Sequence, residues 1–69
     1  PTIECSVEDP NGNIVVKKDT AYVYSTSNNI AYIFYEIPYY AITKTGNYYC
    51  HFYDKNGIHV CSSRTYVQV

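Results

Sequence analysis

The chain of 69 residues holds ten Tyr, two Phe, no Trp, no Met and no Leu, against seven Val, seven Ile and six Thr. Strong helix formers are scarce and strand formers abundant, which excludes long helices, coiled coils and Rossmann or barrel scaffolds; the length admits one domain, residues 1–69, whose small core calls for a staple. Five Lys plus Arg against six Asp plus Glu give no basic stripe for nucleic acid, and no apolar run approaches the roughly 20 residues of a membrane helix.

In chain order, Ile3, Cys5 and Val7 alternate with Thr2, Glu4, Ser6 and Glu8, which predicts a half-buried strand. No leader pattern or initiating Met precedes it, so Pro1 is expected to be a processed N-terminus or the edge of a longer chain. Asp9-Pro10-Asn11-Gly12-Asn13 reads as a turn. A second strand is expected over residues 14–18, broken by Asp19-Thr20, and a Tyr-rich third over residues 21–25. After the polar link Thr26-Ser27-Asn28-Asn29, a fourth runs from Ile30 to Ile37 with Ala31, Ile33, Tyr35 and Ile37 on one face, and Pro38 ends it. Residues 39–45 read as a crossing loop or one short helical turn. A fifth strand over residues 46–54 sets Tyr48, Cys50 and Phe52 on one face and Tyr49, His51 and Tyr53 on the other. Asn56-Gly57 marks a tight hairpin into a sixth strand over residues 58–69.

Three cysteines, Cys5, Cys50 and Cys61, leave one thiol over after any single bridge. The hairpin register decides where Cys61 points. A two-residue turn pairs Phe52 with Cys61 and directs it to the face of Cys50; a three-residue turn with a bulge at Gly57 pairs it with His51 on the other face. Neither sets Cys61 opposite Cys50, which favours a bridge between Cys5 and Cys50. It would close a loop of about 45 residues, worth on the order of 4 kcal/mol on the chain-entropy model. Cys61 is then a buried free thiol, a link to a second copy, or a link to a segment outside this chain.

The segment Gly46-Asn47-Tyr48-Tyr49-Cys50 resembles the G-x-Y-x-C signature of the immunoglobulin superfamily, whose Tyr forms a tyrosine corner. Val16-Lys17-Lys18-Asp19 is similar to the W-x-K-D segment of strand C in intermediate-set domains, with Val in place of Trp. Ile33, Tyr35 and Ile37 stand near the strand E pattern, and Thr65-Tyr66-Val67-Gln68-Val69 resembles the end of strand G. The resemblance implies an all-β, Ig-like antiparallel sandwich of about six strands, truncated, without strand A and with strand D shortened or lost. It also implies that Cys5 is the strand B cysteine. Lys44 stands where the family has an Asp two places before the Gly, which removes that residue's usual ion pair.

Among chemical alternatives, Cys50-His51 and His59-x-Cys61 look like a zinc hairpin, but neighbouring strand residues point to opposite faces and the C-x2-C spacing is absent. Cys61 with His51 or His59 lacks an orienting acid and an oxyanion loop, so no enzyme, small-molecule substrate, metal or cofactor is expected. Tyr is enriched at recognition surfaces, and six strands cannot hide ten of them. Tyr49, His51 and Tyr53, beside Tyr22 and Tyr24, are therefore expected to form one aromatic protein-binding face. The resemblance then implies an extracellular module of a receptor or adhesion protein. A secreted or viral decoy and a spacer in a tandem array are the alternatives, and a homodimer through Cys61 or edge strands is also admitted.

Overall fold

Six strands and one 3-10 turn follow one another along the computed structural model, which describes residues 2–69. The reading of Pro1 lies outside the described residues. The strands are β1 (Glu4–Glu8), β2 (Ile14–Thr20), β3 (Tyr22–Ser25), β4 (Ala31–Phe34), β5 (Gly46–Tyr53) and β6 (His59–Val67), with the 3-10 turn at Tyr39–Ala41 between β4 and β5. All pairings are antiparallel, giving a four-stranded sheet in the order β2-β1-β5-β6 and a separate β3-β4 hairpin. The all-β expectation holds.

The alternation of β5 is the organising feature. Tyr48, Cys50 and Phe52 are buried and their neighbours only half-buried. Beside them on the same face stand Cys5 and Val7 of β1 and Val16 of β2, and against this face pack Val23, Ile33, Tyr35 and Ile37 from the hairpin and its continuation. The tyrosine hydroxyl of Tyr35 donates to Asp19 Oδ2 at 2.6 Å, tying the upper layer to the end of β2. Burial, and then the Asp19 carboxylate, push the Tyr35 phenol above its ordinary range.

Several boundaries differ from expectation. Asp19 and Thr20 do not break β2, because they pair with Cys5 and Glu4 across the sheet. The fourth strand keeps its ladder only over Ala31–Phe34, since its partner β3 begins at Tyr22 opposite Phe34 and the Ala21 N–H before it donates to the Ile3 carbonyl. Ser6, expected on a solvated face, is buried, facing the side of the sheet opposite Cys5 and opposite His51 in register.

Both tight turns of the four-stranded sheet have one construction. Asp9 Oδ1 accepts from the N–H groups of Asn11 and Asn13, and Asp54 Oδ1 accepts from those of Asn56 and Ile58, all at 2.9 Å. Each adds a backbone bond from the Gly three places on, Gly12 N–H to the Asp9 carbonyl and Gly57 N–H to the Asp54 carbonyl, at 3.0 Å. The chain thus repeats a D-x-N-G-x turn, once between β1 and β2 and once between β5 and β6, because an aspartate that caps its own turn suits both hairpins. Behind the second turn Tyr53 pairs with His59, and the extra residue Val60 of β6 shifts the next pair to Phe52 with Cys61. Cys61 therefore faces the same side as Cys50, and it is exposed.

The cysteines require a correction. Cys5 and Cys50 lie on neighbouring strands of one sheet, Cys5 opposite Phe52 and Cys50 opposite Val7, so they do not link two layers as a strand B cysteine would. Cys5, Cys50 and Cys61 carry free thiols in this structure, the first two buried and Cys61 exposed. The neighbouring Cys50 thiol, and burial, raise the Cys5 thiol well above its ordinary range.

Lys44, expected to leave the family's ion pair empty, makes one with the charges exchanged: its Nζ lies 3.1 Å from Asp9 Oδ2. The Asn13 N–H first, then Lys44 and the Asn11 N–H, hold the Asp9 carboxyl below its usual range against the opposing effect of burial. A lowered folded value contributes stability that is present above the unfolded value, about pH 4, and is lost as pH falls through the folded one. Asp9→Asn is therefore expected to lower the urea midpoint near pH 7 and to have little effect at about pH 2. Equal losses at both would show that the aspartate acts by turn geometry alone.

Candidate functional site

The five residues expected on one aromatic face are divided between two. Tyr49, His51 and Tyr53 stand on the outer face of the four-stranded sheet, because β5 buries its even-numbered positions. Tyr22 and Tyr24 stand on the outer face of the β3-β4 hairpin, since Val23 and Ile33 pair inward between them. The two groups lie on opposite sides of the molecule. A sequence cannot show which layer β3 joins, and that assignment separated them.

On the four-stranded sheet the register brings further residues to the β5 row. Glu8 of β1 is opposite Tyr49, and Arg64, Ser62 and His59 of β6 are opposite Tyr49, His51 and Tyr53. His51 is held from both sides: Nε2 lies 3.0 Å from Glu8 Oε1 and Nδ1 lies 2.8 Å from Ser62 Oγ. His59 Nε2 reaches the same hydroxyl at 2.8 Å. With Glu8 ionised and both rings neutral, one proton order satisfies every contact: His51 Nε2–H donates to Glu8, Ser62 O–H donates to His51 Nδ1, and His59 Nε2–H donates to the Ser62 oxygen.

Rings complete the array. Tyr49 and His51 are near-parallel, 6.4 Å between centroids, and Tyr53 meets His59 edge-on at 5.5 Å. A half-exposed pair such as Glu8 with His51 adds only about 0–1 kcal/mol to stability, so its main effect is to fix the ring's orientation. Beside Tyr53 the face dips into an open hollow of about 430 Å³, lined by Ser6, Ile14, Lys17, Lys18, Tyr53 and Gly57. Lys18 is loosely paired with Glu4 at 3.8 Å, and Lys17 has no ion pair among the described residues.

Glu8, His59, Ser62 and the two lysines were not legible as site residues. The turn gave no signal for β6: Asp54 and Ile58 close a three-residue loop with Gly57 at φ 78°, and only the extra residue Val60 in β6 sets Phe52 opposite Cys61 and Ser62 opposite His51. Glu8 and the lysines depend on which strand flanks β5 on its other edge, which local pattern does not reveal. Among the described residues no cluster of three or more His, Cys, Asp or Glu is arranged to hold a metal ion.

The hairpin carries a second surface. Tyr22 stacks on Phe34 at 5.1 Å, and Tyr24 is opposite Tyr32, so four exposed rings share one outer face. No family model, curated protein or solved structure matches this chain.

Proposed function

We propose that the chain is an immunoglobulin-like recognition module that binds another protein through the outer face of its four-stranded sheet. The observation that carries this reading is the row of Tyr49, His51, Tyr53 and His59, whose rings are oriented by hydrogen bonds and stacking before any partner arrives. Rings already ordered lose little further entropy on binding, and Tyr supplies contact area with a polar tip. The adjoining hollow, walled by Lys17 and Lys18, suits an acidic side chain of the partner.

The family part of the reading is supported by the corner that Tyr48 makes. Its hydroxyl donates to the Lys44 carbonyl at 2.8 Å and accepts from the N–H groups of Lys44 and Thr43 at 3.0 and 3.2 Å. With β5 taken as strand F, its flanking strands β1 and β6 stand as C and G, and β2 stands as C′. This replaces the match of Cys5 to strand B. An extracellular location and a role in a receptor or adhesion protein follow from the family reading.

The test is a binding screen of the purified chain against an array of cell-surface and secreted ectodomains, followed by titration of any hit. Tyr53→Ala and Tyr49→Ala are each expected to weaken that interaction by at least ~10-fold, as central aromatic anchors do. Tyr24→Ala, on the other side of the molecule, is the control and is expected to change it little. If the Tyr24 variant were the one that lost binding, the contact would belong to the hairpin face instead.

A further inference from the structure

Two neighbouring lysines of β2 share one face of the sheet because the strand is irregular there. Cys5 pairs with Asp19 and Val7 with Val16, so Ser6 alone stands opposite both Lys17 and Lys18. This is a β-bulge, which re-aims a side chain that regular alternation would send to the other face. Val16 is buried and Asp19 meets Tyr35 of the inner layer, yet both lysines between them line the outer hollow with Ser6. A regular strand would have turned one of the two toward the core.

The third polar group of the hollow is already withdrawn from water. Ser6 is 7% exposed, its hydroxyl has no hydrogen-bond partner among the described residues, and the hollow is where it opens to solvent. Such a hydroxyl is satisfied by a ligand oxygen placed there. Lys17 has no ion pair among the described residues, and Lys18 holds Glu4 only at 3.8 Å. Two ammonium groups and one hydroxyl therefore offer donors to one hollow. Tyr53 and Ile14 give it an aromatic and an apolar wall, and a Cβ at Gly57 would meet nothing within 4 Å, so that side is open.

We infer that this hollow is the subsite for one sulfated tyrosine of the partner protein. The inference rests on the reading of this face as a recognition surface and names the acidic group it takes. The sulfate oxygens accept from the Lys17 and Lys18 ammonium groups and from the Ser6 O–H, while the tyrosine ring packs against Tyr53 and Ile14. Size favours this occupant over Asp or Glu. A volume of about 430 Å³ falls among ligand pockets, roughly 300–1,000 Å³, and a carboxylate side chain would leave most of it to water. Charge favours sulfate over phosphate. Glu4 and Glu8 share the outer face of β1 with Ser6, held by Lys18 and His51, so a dianion would meet two carboxylates. A sulfate ester carries a single charge, whereas a phosphate ester carries about −1.5 to −2 at pH 7. Tyrosine sulfate is displayed on secreted and cell-surface chains, in keeping with the extracellular reading.

The probe is the synthetic peptide acetyl-Gly-Tyr(sulfate)-Gly-amide titrated into the isotope-labelled full chain, read by amide chemical shifts. Expected are saturable shifts of the Ser6, Lys17, Lys18 and Gly57 amides. The peptide with unmodified Tyr is expected to give none, and its Glu and phosphotyrosine versions to bind at least ~5-fold more weakly. Lys17→Ala is expected to weaken the sulfopeptide at least ~5-fold, as loss of a charged hydrogen bond does. Ser6→Ala is expected to weaken it about 3-fold with a thermal midpoint no lower than the parent's, because the hydroxyl has no partner in the free chain. Lys55→Ala removes a cation outside the hollow and is expected to change binding little. Shifts that do not saturate, equal affinity for the Glu or phosphotyrosine peptide, or equal losses from Lys17→Ala and Lys55→Ala would overturn the inference. An ectodomain hit that depends on Tyr49, in a chain that gives no sulfopeptide shifts, would overturn it while leaving the recognition face in place.

Discussion

Truncation of Tyr48 to alanine is expected to leave the chain largely unfolded at room temperature. Its side chain is fully buried at the centre of β5, and removing a buried aromatic costs about 3–5 kcal/mol. A domain of this length has on the order of 3–10 kcal/mol in all. The informative partner is Tyr48→Phe, which keeps the ring and deletes only the hydroxyl. That hydroxyl is the joint partner of the Lys44 carbonyl and of the Thr43 and Lys44 N–H groups, so its loss strands part-buried donors and is expected to cost about 1–3 kcal/mol. Urea titration of the three proteins separates ring from hydroxyl. A Phe variant as stable as the parent would mean that water replaces the corner without loss, and the corner would no longer explain why Tyr stands there.

Gly46→Ala is the second large effect, about 2–4 kcal/mol, for two separable reasons. Gly46 has φ +145°, a region that L side chains rarely adopt. A Cβ there would also lie 2.7 Å from Pro10 Cβ and 2.8 Å from its Cγ. Pro10 belongs to the turn after β1, so the Gly of the G-x-Y-x-C pattern is needed where the β1-β2 turn passes over the start of β5. Pro10→Gly combined with Gly46→Ala removes the clash and leaves the backbone cost. Equilibrium unfolding of both singles and the double should therefore show a coupling of about 1 kcal/mol or more. Strict additivity would place the whole penalty in the backbone.

How much of this was legible beforehand varies with the range of the interaction involved. The alternation of β5 was readable because Tyr48, Cys50 and Phe52 are two residues apart and one face of the strand is buried. The β5-β6 register was narrowed to two answers by Asn56-Gly57. The structure takes the three-residue turn of the second, with Gly57 at φ 78°, and the pairing of the first, Phe52 with Cys61, because Val60 is an extra residue in β6. Asp54 caps that turn through its own side chain, an interaction within five residues that the repeated D-x-N-G-x pattern already contains. By contrast, Lys44 and Asp9 are 35 positions apart and their ion pair had no local signal. The misplacement of Tyr22 and Tyr24 has the same origin.

The opening composition, rich in Tyr, Val, Ile and Thr and lacking Leu, determined by itself that this is a chain of strands. Its turn residues determined where most of them end. Such properties belong to single residues and their near neighbours, through side-chain shape and backbone freedom. Only the tertiary structure decided that β1 lies beside β5, which placed Cys5 and Cys50 side by side in one sheet and set Glu8 against His51. It alone decided that, among the described residues, β4 pairs with β3 only, with an apolar cleft beside its other edge. Strand order is set by which long-range pairings bury the most surface for the loop entropy they cost, a sum over the whole chain that no local pattern records.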